Sequence, residues 1–420
     1  MIRRYPVGAH IYYGYRNRRY NKKRLINFSH SKQRGSAIPL ALLATILLLL
    51  MGSGLLSLGL NARIFSVRNT SGIAARCAAD AGLTQALFEM NEKLKIKPWN
   101  GGTLPEAFNE ILTNCDATYS YTVTGNMMIG YSIESTGISG QNTKKVTCDL
   151  RLQGPFEAAI FAQESIELKN SATVDWYNYS SDDKPLEVGT NSILPGAVIL
   201  KNSAFVNGDV VVGLDGDPDI VINDFGATIT GETHALTQEF PLSPVTVPDI
   251  LLSIPSSGTI KNDTLISSDA KYDSIDLKNN KTITIEGDVV LYVTGDFILN
   301  NSAELLIEDG SSLILYLGGN LESKNSSSFN NETQDAKKFQ IFSLDSCESM
   351  TFKNNSDFYG VIYAPDTEVI MNNSAEMYGS VIAKKFEQKN SGDFYYDASL
   401  RDADFDDELV RFAITKWHEE

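Results

Sequence analysis

The chain is short of histidine, of cysteine and, over long stretches, of charge of one sign. Only four of its 420 residues are His. His10 and His30 lie near the N-terminus, so His234 and His418 alone remain for the rest. That excludes a multi-histidine metal centre and an obvious catalytic triad. The four cysteines, Cys77, Cys115, Cys148 and Cys347, contain no C-x-x-C spacing, which disfavours zinc and thioredoxin-type chemistry. Residues 1–35 hold ten Lys/Arg and no acid, and residues 36–60 hold no charge at all. The remaining 26 Lys/Arg therefore face all 52 Asp/Glu of the chain. An acidic body of this kind repels phosphates and releases no counterions on contact, so nucleic acid is not an expected partner. With 42% apolar residues over its full length, the chain has the material for a buried core.

What is present is first an apolar run. Residues 36–60 read SAIPLALLATILLLLMGSGLLSLGL. As a helix they span about 37 Å, enough for a hydrocarbon core of about 30 Å. The basic leader, 1–35, precedes them directly, so the positive-inside rule places the N-terminus in the cytoplasm and the body beyond the membrane. A buried core helix does not need so long a run. A cleaved secretory signal is the better rival, but its apolar stretch is ordinarily about 7–15 residues and ends in a small-residue exit that is lacking here.

The leader ends Lys32-Gln33-Arg34-Gly35, and the helix begins at Ser36-Ala37 with Pro39 in its first turn, where a missing N–H costs little. Farther on, 61–97 carries apolar residues at three- and four-residue steps and reads as an amphipathic helix. It includes Ala78-Ala79-Asp80-Ala81-Gly82-Leu83. Together these segments resemble the PilX-type, type IV pilin-like N-terminal proteins. The resemblance implies a processing junction at Gly35/Ser36 cut by a prepilin-type peptidase, a helix kept as anchor in the bacterial inner membrane, and other pilin-like subunits as partners. Leu40 stands at the fifth mature position, where typical prepilins carry Glu; minor pilins and some pseudopilins lack that Glu. The small residues at 78–82 are expected to let helices approach one another closely. An ordinary amphipathic stalk helix is the alternative.

After the Gly/Pro-rich stretch 98–105, three runs at 118–124, 127–135 and 144–152 read as strands, with Gly125-Asn126 as a tight hairpin signal. A helix followed by such a meander (98–154) is the layout of a pilin-like module. Cys115 and Cys148 bracket the meander and are a candidate disulfide, which in an oxidising compartment would contribute about 4 kcal/mol. Cys77 and Cys347 read as small buried hydrophobes.

From residue 155 a short tag recurs: Asn170-Ser171, Asn202-Ser203, Asn301-Ser302, Asn325-Ser326, Asn355-Ser356, Asn373-Ser374 and Asn390-Ser391. The last spacings are 18 and 17 residues, and the earlier ones are longer. Such a period suits one coil of a parallel β-solenoid, stacked at about 4.8 Å per coil. Asn tolerates the left-handed conformation of a sharp corner, and its amide can bond to the coils above and below. The seven tag asparagines are therefore candidates for a ladder. A β-sandwich with Asn-Ser turns is the alternative. Residues 155–400 also resemble the β-solenoid domains that follow PilX-type N-termini in some bacterial surface proteins, a repeat style shared with polymer-forming, bactofilin-like domains. The closing segment, 401–420, is expected to be a helix capping the solenoid, with a frayed tail as the alternative.

The expected fold is thus mainly β, a parallel β-solenoid preceded by a long N-terminal helix and a small antiparallel sheet. Asp215-Gly216-Asp217-Pro218-Asp219 imitates the start of a calcium loop but has Ile220 and Gly226 where Gly and Glu are needed. No catalytic residue, cofactor or metal is expected. The leading expectation is a membrane-anchored structural or assembly component that displays its solenoid outside the cytoplasm. The alternative is a carbohydrate-binding or carbohydrate-active surface protein, whose mark would be a row of aromatics or carboxylates along one solenoid face. A surface polysaccharide is accordingly a possible partner, and a bactofilin-like polymer is a third option.

Overall fold

The computed structural model describes residues 37–179, 184–353, 357–372, 376–389, 392–404 and 407–419. It begins with one helix, α1 (Ala37–Leu94), 58 residues long. The apolar run and the amphipathic stretch are a single element. Gly52, Gly54 and Gly59 each cost the helix about 1 kcal/mol against Ala, too little to break Leu-rich turns. The helix stops shortly before Pro98, which cannot continue it.

A five-stranded antiparallel sheet follows. Four strands are consecutive: β1 (Glu106–Ile111), β2 (Ala117–Asn126), β3 (Gly130–Ser139) and β4 (Asn142–Gln153). The first was not legible, because its burial does not alternate and a register shift interrupts its pairing with β2. Asn126 pairs with Gly130, so the hairpin loop is 127–129, one step beyond the Gly125-Asn126 signal. The fifth strand is Arg411–Glu419, laid antiparallel on β4. This corrects the expected capping helix at 401–420. Its apolar spacing, Phe412, Ile414, Trp417, imitates a helix because a bulge at Thr415 shifts the register; Ile414 faces Leu150 and Trp417 faces Cys148.

The described strands between Ile160 and Asp397 form a three-sided parallel β-solenoid. Three consecutive strands of one coil, Asp288–Val293, Phe297–Asn300 and Glu304–Ile307, pair in register with Ser312–Leu317, Leu321–Lys324 and Ser328–Asn331 of the next. Side chains alternate, and the inward columns, such as Leu277, Leu299 and Ser323, are fully buried. The coil period is irregular: 22 residues separate Ile275 from Phe297, and 19 separate Phe358 from Met377. Loops at the other corners absorb the difference.

The coils are not stacked in chain order. The first coil, β5 (Ile160–Leu168) and β6 (Thr173–Tyr177), pairs on one side with the second coil, Ile160 to Val188 and Thr173 to Phe205. On its other side it pairs with the last coil, Val381 to Ile160 and Asp393 to Thr173. The chain builds outward from the middle to Thr233–Ala235, crosses to the far end, and builds back until it closes on its own start. The crossing segment, 236–258, contains Pro241, Pro244 and Pro248. Its Phe240 ring stacks on Phe161 at 4.2 Å, and Tyr363 Oη donates to the Ser243 carbonyl at 2.9 Å. The solenoid strands beneath it, such as Ile160–Leu168, are consequently apolar on both faces at their start.

Candidate functional site

Three features can carry function: the helix with its sheet, the asparagine corner, and a row of tyrosines. On the helix, the most apolar 18-residue window has no buried residue, and α1 is long and apolar enough to cross a membrane. The window needs an apolar surrounding that the described residues do not supply. From Ala75 onward the helix is different: Ala75, Ala78, Ala79, Ala86 and Met90 are completely buried. They face β2, β3 and β4, together with Tyr121, Ile133, Val146 and Phe412. A Cβ at Gly82 would collide with Ser135 Oγ, and one at Gly137 would collide with the Ala75 carbonyl oxygen and the Ala79 amide. Ser135 Oγ donates to the Ala79 carbonyl at 2.7 Å inside this contact. The expectation that the small residues serve contact between helices is therefore corrected. They bring the helix down onto the chain's own sheet. The processing junction, Gly35 and Ser36, lies outside the described residues.

The asparagine corner joins the second and third sides of the solenoid. Asn170 and Ser171, Asn202 and Ser203, Asn301 and Ser302, and Asn325 and Ser326 each form a consecutive left-handed pair, with φ between 52° and 63°. Asn202 Nδ2 donates to Asn170 Oδ1 at 3.0 Å, and Asn170 Nδ2 donates to the Lys389 carbonyl at 2.6 Å. In the other half of the stack Asn325 Nδ2 donates to Asn301 Oδ1 at 3.2 Å, and Asn301 Nδ2 to Asn279 Oδ1 at 3.2 Å. Asn279-Asn280, at φ 60° each, occupies the same corner without the Ser that would have marked it. The signal that could have found it is Lys278-Asn279-Asn280, placed like the other Lys-Asn tags. Asn355, Asn373 and Asn390 lie outside the described residues. Beside the corner the tag lysines form their own ladder: Lys169 meets Glu387 at 2.7 Å and Lys201 meets Glu167 at 2.7 Å. Burial alone would raise the Glu167 carboxyl, but its bonds to Lys201 and Lys169 outweigh this and hold it below its ordinary value.

The disulfide candidate fails on register. Cys115 and Cys148 are both free thiols. Cys148 shares its row with Ile133 and Val123, which places it eight residues along the sheet from Cys115. At about 3.3 Å per residue that separation far exceeds the roughly 7 Å a bridge allows. Burial pushes the Cys148 and Cys347 thiols up to about 11 each. They are packing groups, as neutral thiols.

Among the described residues no group of three or more His, Cys, Asp and Glu is placed to hold a metal. The Asp215–Asp219 stretch uses Asp217 as a helix cap, its Oδ1 accepting from the Asp219 amide at 3.0 Å. On the third side of the solenoid, however, Tyr359, Tyr378 and Tyr395 stand in register on successive coils. The rings of Tyr359 and Tyr378 stack at 4.3 Å and 5°, and those of Tyr378 and Tyr395 at 5.0 Å and 20°. Tyr177 packs edge-on against Tyr378 at 5.0 Å. Texture and tags in the sequence did not reveal this row, because the coil order that aligns it is not written in them.

Comparison with known proteins adds the following. Residues 258–403 match the family described as Domain of unknown function (DUF7305). The competence-associated pilin ComZ from Thermus thermophilus aligns over 84% of this chain and 98% of its own, at 14% identity and a TM-score of 0.22. The DUF3494 domain of ice-binding protein 1 from Shewanella frigidimarina aligns over 58% of this chain and 95% of its own, at 16% identity and a TM-score of 0.29. An ice-binding protein from an Antarctic Flavobacteriaceae bacterium covers 56% of this chain and 79% of its own, at 11% identity and a TM-score of 0.18. No curated protein matches the chain in sequence.

Proposed function

We propose that the chain is a pilin-like, membrane-anchored structural or assembly protein, of minor-pilin type, that carries its solenoid beyond the bacterial inner membrane. One observation carries this reading: a single helix, Ala37–Leu94, leaves its apolar window wholly exposed and buries the small residues of its later turns against a small antiparallel sheet. A lone amphipathic stalk would not need Ala75, Ala79 and Gly82 at zero clearance from a sheet. The basic leader and the Gly35/Ser36 junction supply the orientation and the processing step. On this reading the partners are other pilin-like subunits and a prepilin-type peptidase, and the protein is not an enzyme. Mass spectrometry of the protein isolated from membranes tests it. The expected N-terminus is Ser36, and Gly35→Val leaves the leader attached. An N-terminus beyond Leu60 makes the run a discarded signal and defeats the reading.

A further inference from the structure

The tyrosine row continues as a polar strip. In the column of Tyr359, Tyr378 and Tyr395 the next coil places Asp175. Asp175 Oδ1 accepts from Asn207 Nδ2 at 2.7 Å, and Asn207 Oδ1 accepts from Thr230 Oγ1 at 2.9 Å. Six residues on six successive coils thus form one straight line, about 24 Å long at about 4.8 Å per step. The tyrosines and Asp175 are half-buried, so each shows an edge to solvent. Because the rings lie face to face, the row offers ring edges and phenol hydroxyls at regular intervals, with the hydroxyl of Tyr378 held by Glu376. Carboxylates flank it: Asp357 and Glu376 act on Tyr359, and Asp393 and Asp175 on Tyr395, each raising the phenol's affinity for its proton beyond what burial does. The phenols therefore remain neutral donors. The strands that present the line, Phe358–Gly360 within its longer strand, Met377–Gly379 likewise, Asp393–Asp397 and Thr173–Tyr177, contain no Lys or Arg.

We propose that this strip is a binding surface for a neutral or amine-bearing polysaccharide. Its length and straightness fit a chain-like ligand. Its alternation of ring edge, hydroxyl, carboxylate and amide fits a polyol, which offers C–H surface and hydroxyls together. Charge selects within that class. With Asp357, Glu376 and Asp393 in one column along one flank, Asp175 in the line itself and no base on its strands, the strip repels sulfated, phosphorylated or uronic polymers. It goes beyond the anchoring role and does not depend on it, since the strip is built by solenoid coils alone.

The test uses the full-length protein in detergent micelles, sedimented with insoluble cellulose, chitin and chitosan, with dextran sulfate as soluble competitor. The expected result is retention on at least one of the three, undisturbed by dextran sulfate. Tyr378→Ala combined with Tyr395→Ala weakens retention about tenfold or more, the scale of losing one or two good contacts. Since that pair could loosen the coils, a triple Tyr→Phe variant at 359, 378 and 395 keeps the stack and removes the hydroxyls. It is expected to bind several-fold more weakly with an unchanged thermal midpoint. Retention on none of the polymers, equal retention of all variants, or preference for dextran sulfate each overturns the proposal. Processing at Ser36 is read separately, so the two proposals fail independently.

Discussion

At the scale of single residues, the corner shows why one amino acid recurs. At five described corners two successive residues are left-handed, a conformation that costs an ordinary L-residue about 1–2 kcal/mol. Asn lowers that cost and also carries an amide that donates to the next coil, as Asn202 does to Asn170. Glycine would meet the first need and fail the second. The two contributions can therefore be separated. Asn202→Ala is expected to destabilise the protein by about 1–3 kcal/mol, from backbone strain and the lost amide bond. Asn202→Gly, which relieves the strain, is expected to cost clearly less. Denaturant titration of both variants reads the difference. Equal losses would mean that the φ of 54° is not what selects Asn at this position. The corner conformation of the four described tags is legible in the sequence because it is local. The partner of each amide was not, because Asn170 bonds to the carbonyl of Lys389, which is 219 residues away.

At the scale of elements, α1 and the meander were legible where periodicity is clean. β3 alternates buried and more exposed positions, and the run expected at 127–135 overlaps it, three residues early at its start and four at its end. β1 and the strand Arg411–Glu419 were missed, the first for lack of alternation and the second because its bulge gives a helical spacing. The tight seat of the helix on the sheet was also hidden. Gly137 reads as a turn residue in sequence, yet it sits mid-strand, opposite Tyr119 and Lys144, where the helix backbone passes directly over it. A methyl group there meets backbone atoms, which cannot rotate away. Gly137→Ala should therefore cost about 1–3 kcal/mol or more, as overpacking does, and should lift α1 from the sheet. Near-ultraviolet circular dichroism of the Trp99, Tyr131 and Phe412 cluster, whose rings lie 5.3–6.0 Å apart, would register the shift. An unperturbed spectrum with unchanged stability would show that the seat is looser than the geometry describes.

At the scale of the whole molecule, coil order is the feature that sequence could not reveal. Any coil with the same in-and-out alternation can stack on any other, so the pattern records that coils stack and not which ones are neighbours. The ends bear on the polymer option. At one end the last strands are short, and Asp224 stands in the inward column of Leu168 and Leu200. A charge in a core column and a two-residue strand, Thr228–Ile229, are devices that discourage another chain from adding to the edge. At the other end Leu251 of the short helix Asp249–Ser253 is buried into the core. Both ends thus discourage the addition of a second copy, which argues against an end-to-end filament.

The same topology dictates how the solenoid unfolds. An open repeat array can fray from its ends, because each coil depends only on its neighbours in sequence. Here the first coil is interior, held between Val188 and Val381 on its two sides at Ile160. The C-terminal strand then returns to β4, and the side-chain amide of Asn91 in α1 donates to the Phe412 carbonyl and accepts from the Phe412 N–H. Helix, sheet and both halves of the stack are tied through residues that lie far apart in the chain. A single cooperative transition is therefore expected for residues 69–420, with the same midpoint by far-ultraviolet circular dichroism and by the emission of Trp99, Trp176 and Trp417. Deleting 411–420 removes the strand that closes this circuit. It should lower the midpoint reported by Trp176 in the solenoid as well as that reported by Trp99 beside the meander. If only the Trp99 signal moved, the meander and the solenoid would be separate cooperative units, and the closure of the last coil on the first would not couple them.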